Sequence, residues 1–172
     1  MDKLEDDLTA FNLLGVSCIQ GQIDANAFNQ AWQQLIARRE SLRTHFIEVE
    51  TESGVQPRQV ISQSSAFAIN IVTKEELASP TAEQLTALEN DNDFINFCAQ
   101  LEHTDPTTAF GLYQRQLAQA HHQFSLDKAQ PLINVSLVIV DESNSVLFTN
   151  MHHIVADGWS MQIMVTEIMK LY

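Results

Sequence analysis

The C-terminal stretch constrains the fold most tightly. An apolar run, Val146–Asn150, leads into Met151-His-His-Ile-Val-Ala-Asp-Gly-Trp-Ser160, and the segment Met161–Tyr172 that follows reads as a helix. The order is strand, polar loop, helix. Two imidazoles therefore sit at the end of a strand, with a carboxylate four residues beyond the second one and a glycine directly after it. Ser160 carries the side chain of a helix N-cap. Neighbouring residues on an extended segment point in opposite directions, so one ring of the pair His152-His153 is expected to turn inward and the other outward. Joint metal ligation by His152, His153 and Asp157 is awkward for the same reason, and no metal is expected.

The residue types suit acyl transfer. An imidazole can accept or share a proton near neutral pH, which an amine requires when it attacks a thioester and becomes a cation in the tetrahedral intermediate. A carboxylate with an ordinary pKa of about 3.9 is poorly matched to that task. Asp157 is better suited to holding the loop in shape through an ion pair. Gly158 leaves room for a backbone turn and for a substrate arm approaching the main chain. A second pair, His121-His122, closes a helix-like run and has no Asp-Gly after it; a role at the helix C-terminus is sufficient there.

The pattern His-His-x-x-x-Asp-Gly resembles the signature of the acyltransferase superfamily that includes nonribosomal peptide synthetase condensation domains and chloramphenicol acetyltransferase. Three further elements follow the condensation-domain order. Gly21-Gln-Ile-Asp24 precedes a helix, Ala25–Leu35, which Asp24 would cap. Ala37-Arg-Arg-Glu-Ser-Leu-Arg-Thr-His-Phe46 resembles Arg-His-Glu-x-Leu-Arg-Thr-x-Phe, with Arg39 where the family usually has histidine. Phe124-Ser-Leu-Asp-Lys-Ala-Gln-Pro-Leu132 resembles the Phe-Asp-Leu…Pro-Leu element before the histidine strand, with Asn134 where arginine is frequent.

The resemblance implies a chloramphenicol acetyltransferase-like α/β fold, a two-layer sandwich of mixed sheet on helices forming one half of a V-shaped domain. It implies amide formation between a carrier-bound acyl thioester and a carrier-bound amine, with His153 at the reacting centre and His152, Asp157, Gly158, Arg43 and Arg38 supporting it. Arg43 is the expected ion-pair partner of Asp157, with Arg38 as the alternative. No cofactor is expected to be bound by the chain itself; 4'-phosphopantetheine arrives on donor and acceptor peptidyl carrier proteins. The whole of residues 1–172 corresponds to the N-terminal subdomain. The family's first motif and its C-terminal subdomain have no counterpart here, so the chain alone is expected to be inactive and to self-associate. An ester-forming relative shares the histidine motif, and a non-catalytic half-domain serving as an interaction module is a further reading. Heterocyclising relatives carry aspartates in place of the histidines. Epimerising relatives keep the histidines.

Charge and composition narrow the setting. The net charge of −13 argues against nucleic acid and anionic membranes, both of which need lysine and arginine patches. No apolar run reaches the ~20 residues of a membrane span, and the acidic N-terminus does not resemble a secretory signal. The cytoplasm is the expected compartment. Cys18 and Cys98 have no metal-like spacing and are expected to be buried and reduced. Residues 75–114 carry no lysine or arginine, and their acids are expected to form a solvated face.

Along the chain, strands are expected at Phe11–Ile19, Thr44–Val49, Arg58–Ser62, Ala66–Val72, Leu132–Val140 and Val146–Asn150. Helices are expected at Asn26–Ser41, Thr81–Leu101 and Thr107–Gln123. The interleaving of the two indicates an α/β domain.

Overall fold

The structure, a computed structural model, describes residues 9–63, 66–101 and 104–172. The acidic N-terminal heptad and Glu102 lie outside the described residues. A four-stranded mixed sheet forms the centre. Its strands are β1 (Asn12–Gln20), β4 (Asn70–Thr73), β5 (Ile133–Ile139) and β6 (Asn144–His152), in the spatial order β1-β6-β5-β4. β6 runs antiparallel to both neighbours, and β4 is parallel to β5. The turn between β5 and β6 is closed by Asp141, whose carboxylate accepts from the Ser143 amide at 2.8 Å and the Asn144 side chain at 2.9 Å. A separate hairpin joins β2 (Thr44–Thr51) to β3 (Gly54–Ile61), where Gly54 takes a φ of +106° that a side chain would resist.

Helices cover both faces of the four-stranded sheet. Leu137, Leu147 and Met151 pack with α1 (Ala25–Arg38) and α5 (Gly158–Leu171). Val138, Val146 and Phe148 face the other way, against α3 (Asn92–Cys98) and α4 (Pro106–Ala120). This double cover explains why β6 is buried along nearly its whole length. On α1 the residues Phe28, Ala31, Trp32, Leu35 and Ile36 form the buried stripe, at the spacing an amphipathic helix requires. Asp24 caps its start, accepting from the amides of Asn26 and Ala27 at 2.9 and 3.0 Å. The end of α5 closes on the same place, since the Asp24 amide donates to the Tyr172 hydroxyl at 2.8 Å.

The structure differs from expectation at several points: α1 ends at Arg38 rather than Ser41, and β3 begins at Gly54 rather than Arg58. The helix expected over Thr81–Leu101 is two helices, α2 (Ala82–Leu88) and α3. Asp91 interrupts it by accepting from the amides of Asp93 and Phe94, so its side chain restarts the helix where continuation would have needed those amides inward. The strand expected over Ala66–Val72 is confined to Asn70–Thr73. Ile69, just before it, donates its amide to the Asn29 side chain at 2.9 Å instead of to a neighbouring strand; residues 64 and 65 lie outside the described residues. Cys18 is exposed rather than buried, because it lies on the edge strand β1, and its thiol sits 3.4 Å from the Gln100 carbonyl. Cys98 is partly buried, and that burial pushes its thiol pKa up. The two thiols form no disulfide.

Asp105 caps α4 ahead of Pro106 at the first helical position. Its carboxylate accepts from the Thr108 hydroxyl at 2.7 Å, the Thr108 amide at 3.0 Å and the Lys74 ammonium at 2.9 Å. These bonds, the Thr108 hydroxyl first, hold its pKa well below the ordinary carboxylate range. A carboxylate depressed in the folded state stabilises above its unfolded pKa and loses that contribution as pH falls through the folded value. Asp105→Ala is therefore expected to cost about 1 kcal/mol at neutral pH and to make the loss of stability below pH ~4 shallower, as read by urea denaturation across pH.

Candidate active site

The histidine pair sits where β6 runs out, and its backbone is pinned on both sides. The His152 amide donates to the Leu132 carbonyl at 3.0 Å, and the His153 amide donates to the Phe11 carbonyl at 2.8 Å. The rings then part as the strand alternation requires. His152 is buried, stacked on Phe11 with centroids 5.9 Å apart and meeting Phe124 edge-on at 6.3 Å. Its Nδ1 accepts the Ile154 amide at 3.1 Å, which leaves the proton of the neutral ring on Nε2. Burial, and secondarily the neighbouring His153, push its pKa down. His153 is exposed at the same strand end. One imidazole thus shapes the turn, and the other is offered to whatever approaches.

Asp157 does not pair with either expected arginine. It is the N-cap of α5, and its carboxylate accepts from the Ser160 amide at 2.7 Å and the Ser160 hydroxyl at 2.6 Å. Ser160, expected to be the cap, is the donor. These bonds, the hydroxyl first, lower the pKa of Asp157, and the nearby His153 adds to the effect. The anion also stands at the positive end of the α5 dipole. Arg43 spends its guanidinium on backbone carbonyls, with Nε 3.2 Å from Ile36 O and Nη1 bonded to Ser62 O. It thereby ties the end of α1 to the end of β3. Arg38 lies 3.9 Å from Glu167 of α5, and Arg39 bonds the same carboxylate through Nε at 2.9 Å and through Nη2. Among the described residues, no lysine or arginine forms an ion pair with Asp157.

A consequence separates the cap from an ion pair. Asp157→Asn is expected to retain most of the stability, because asparagine caps as well as aspartate; Asp157→Ala is expected to lower the melting temperature. Asp157→Ala combined with Arg43→Ala should be additive in a double-mutant cycle, since the two share no partner. Coupling between them, read by thermal denaturation, would contradict this geometry.

Gly158 is the first residue of α5, and a Cβ built on it meets nothing within 4 Å. Its φ is not in the left-handed region, so the expected backbone turn does not require glycine here. The space over Gly158 is open. Trp159, next to it, is 71 % exposed.

Several supporting residues were invisible to sequence reasoning. Asn12 and Asn150 hold the C-terminal end of α4 against the sheet. Asn12 Nδ2 donates to the Ala120 and His122 carbonyls at 3.1 and 2.8 Å, and Asn150 Nδ2 donates to the Gln119 carbonyl at 2.6 Å. His121 is the C-cap residue of α4, and His122 packs edge-on against Phe124 with centroids 4.7 Å apart. The signal for Phe124 was present in its motif. The asparagines had no local signature, because their partners lie 31 residues away or farther along the chain.

The family model described as Condensation domain matches residues 1–172. The chain belongs to the condensation domain family. It is 31 % identical over its full length to tyrocidine synthase 3 of Brevibacillus parabrevis, of which it spans 2 %. It is 28 % identical over 167 residues to bacitracin synthase 2 of Bacillus licheniformis, covering 97 % of this chain and 5 % of that one. A crystal structure of a single-site mutant of the starter condensation domain of rhizomide synthetase RzmA superposes with a TM-score of 0.65 at 21 % identity, covering 96 % of this chain and 32 % of that one. SgcC5 from Streptomyces globisporus superposes with a TM-score of 0.58 at 20 % identity, covering 94 % and 30 %. The condensation-domain chain thus has the expected mixed sheet packed on helices, and it spans about a third of the solved chains it matches. Among the described residues, no helix is long and apolar enough to cross a membrane, and no group of three potential ligands could hold a metal ion.

Proposed function

We propose that residues 1–172 are the histidine-bearing N-terminal part of an amide-forming condensation domain, completed by a C-terminal subdomain that they do not contain. The reading rests on one observation. His153 is an exposed imidazole at a doubly pinned strand end, beside a capped helix start with open space over Gly158. In the reaction the acceptor amine attacks the carbonyl carbon of the donor thioester. The new C–N bond forms, the C–S bond breaks, and the carrier thiol leaves. The nitrogen must shed one proton, and His153 holds it during the transfer. Asp157 keeps the first turn of α5 in place next to that ring, and His152 shapes the turn between them. Both substrates would arrive on 4'-phosphopantetheine arms of peptidyl carrier proteins, in the cytoplasm.

The apolar residues left outside on α5, Trp159, Ile163, Val165 and Met169, are each more than two-fifths exposed. They favour self-association when the chain stands alone, and sedimentation should detect it. Amide formation is distinguished from ester formation by offering the complete domain a carrier-bound amine and its alcohol isostere with the same loaded donor. Mass spectrometry is expected to find the amide product. Conversion of the alcohol with the amine left unreacted would refute the proposal in favour of an ester-forming enzyme.

A further inference from the structure

A pocket of about 420 Å³ opens on the α4 side of the sheet, bounded by α4, by Asn70 of β4 and Asn134 of β5, and by the segment 76–78 that follows β4. Its walls are fixed from three directions. Ser136 of β5, fully buried, donates its hydroxyl to the Asn70 carbonyl at 3.2 Å. Beyond β4, Thr73 gives its amide and its hydroxyl to the Glu76 carboxylate at 2.8 and 3.1 Å, which closes the turn Lys74–Glu76. Gly111 lets the next residues lie directly on α4, since a Cβ there would come within 2.7 Å of the Leu77 Cβ and 3.0 Å of the Ala78 carbonyl oxygen. Walls set before a ligand arrives reduce the ordering cost of binding.

Two groups in this pocket lack a partner. Arg115 donates through Nε to the Ser136 hydroxyl at 2.9 Å, and its two terminal nitrogens meet no acceptor among the described residues. Burial pushes the pKa of this guanidinium down, and the charge of Glu76, whose carboxylate Thr73 already engages, offsets that only in part. A partly buried cation without an ion pair is unfavourable. Gln119, one turn farther along α4, is only 8 % exposed, and its Oε1 accepts no hydrogen bond. A buried carbonyl oxygen left alone is unfavourable as well.

The two deficits define a ligand. The free edge of one guanidinium is a flat fork that matches a carboxylate. One arginine beside one acid, in a chain of net charge −13, suits a monoanion better than a phosphate dianion. Gln119 requires an N–H donor, and Leu77 and Ala78 supply an apolar flank. We infer that this pocket binds a small N-acylated amino acid, with its carboxylate on the Arg115 fork and its amide N–H on Gln119 Oε1. His122 completes the wall, its ring packed on Phe124. The pocket lies across the sheet from α5, so the inference stands independently of the role given to His153.

Saturation-transfer difference NMR with N-acetylalanine tests the site in the 172-residue chain and in the complete domain. The ligand's methyl signals should show saturable binding in both. N-acetylalanine amide, which has no carboxylate, and acetate, which has no N–H, should each bind about tenfold more weakly or worse. Arg115→Gln should weaken N-acetylalanine by a similar factor, with folding checked by circular dichroism. Arg115→Lys, which keeps the charge but not the fork, should also weaken it and provides the comparison if Arg115→Gln does not fold. Gln119→Leu should narrow the difference between N-acetylalanine and acetate. Equal binding of N-acetylalanine and its amide, or binding that the Arg115 variants leave intact, overturns the site. Absence of binding in the complete domain overturns it too, because the rest of the protein would then cover the pocket.

Discussion

Replacing His153 with alanine in the complete domain is expected to slow amide formation by on the order of 10²–10⁴-fold while leaving the melting temperature unchanged. The side chain is exposed and its backbone amide remains bonded to Phe11, so little packing is lost. Thioester loading of the carriers, which takes place on other domains, should be unaffected. Single-turnover assays with both carriers preloaded isolate the bond-forming step. A rate near that of the unaltered protein would remove His153 from the reaction centre.

The neighbouring histidine should behave in the opposite way. His152→Ala removes a buried ring that packs on Phe11 and Phe124 and accepts the Ile154 amide, at an expected cost of about 2–3 kcal/mol in stability. His152→Phe should recover the ring packing but not the hydrogen bond. The pH dependence follows from the depressed pKa of His152. The unfolded chain takes up a proton on this ring at about pH 6.5, and the folded chain resists doing so until lower pH. The stability contributed by the neutral ring is therefore present above the unfolded pKa, and it declines as pH falls from about 6.5 toward the folded value. Denaturant midpoints measured between neutral and mildly acid pH should show a decline that His152→Phe flattens. Equal slopes in the two proteins would mean that His152 is not held neutral by its surroundings.

The opposed placements of these two rings, one buried and one exposed, are legible in the sequence because strand alternation alone separates them. The same is true of the β5–β6 hairpin, the α1 core stripe and the helix after the histidine loop, each written in a local period or turn. Asp157 was misassigned for a physical reason. A carboxylate just before a helix can be an ion-pair partner or a cap, and only the position of Ser160 relative to it decides. Arg43 was misassigned because its partners, Ile36 and Ser62, are backbone carbonyls, which leave no trace in residue identity. The break at Asp91 was hidden inside an otherwise helical composition. The shortened β4 depended on Asn29, forty residues upstream, taking the Ile69 amide.

On the proposed function, this chain supplies the histidine of a condensation reaction and the rest of the domain is required to use it. The most direct measurement is product formation by mass spectrometry from preloaded donor and acceptor carriers, with the 172-residue chain alone and with the same chain joined to the C-terminal subdomain. The expected result is no amide from the chain alone, amide from the joined protein, and loss of that amide on His153→Ala. Amide formed by the chain unaided, or by the joined His153→Ala protein at an undiminished rate, would contradict the account.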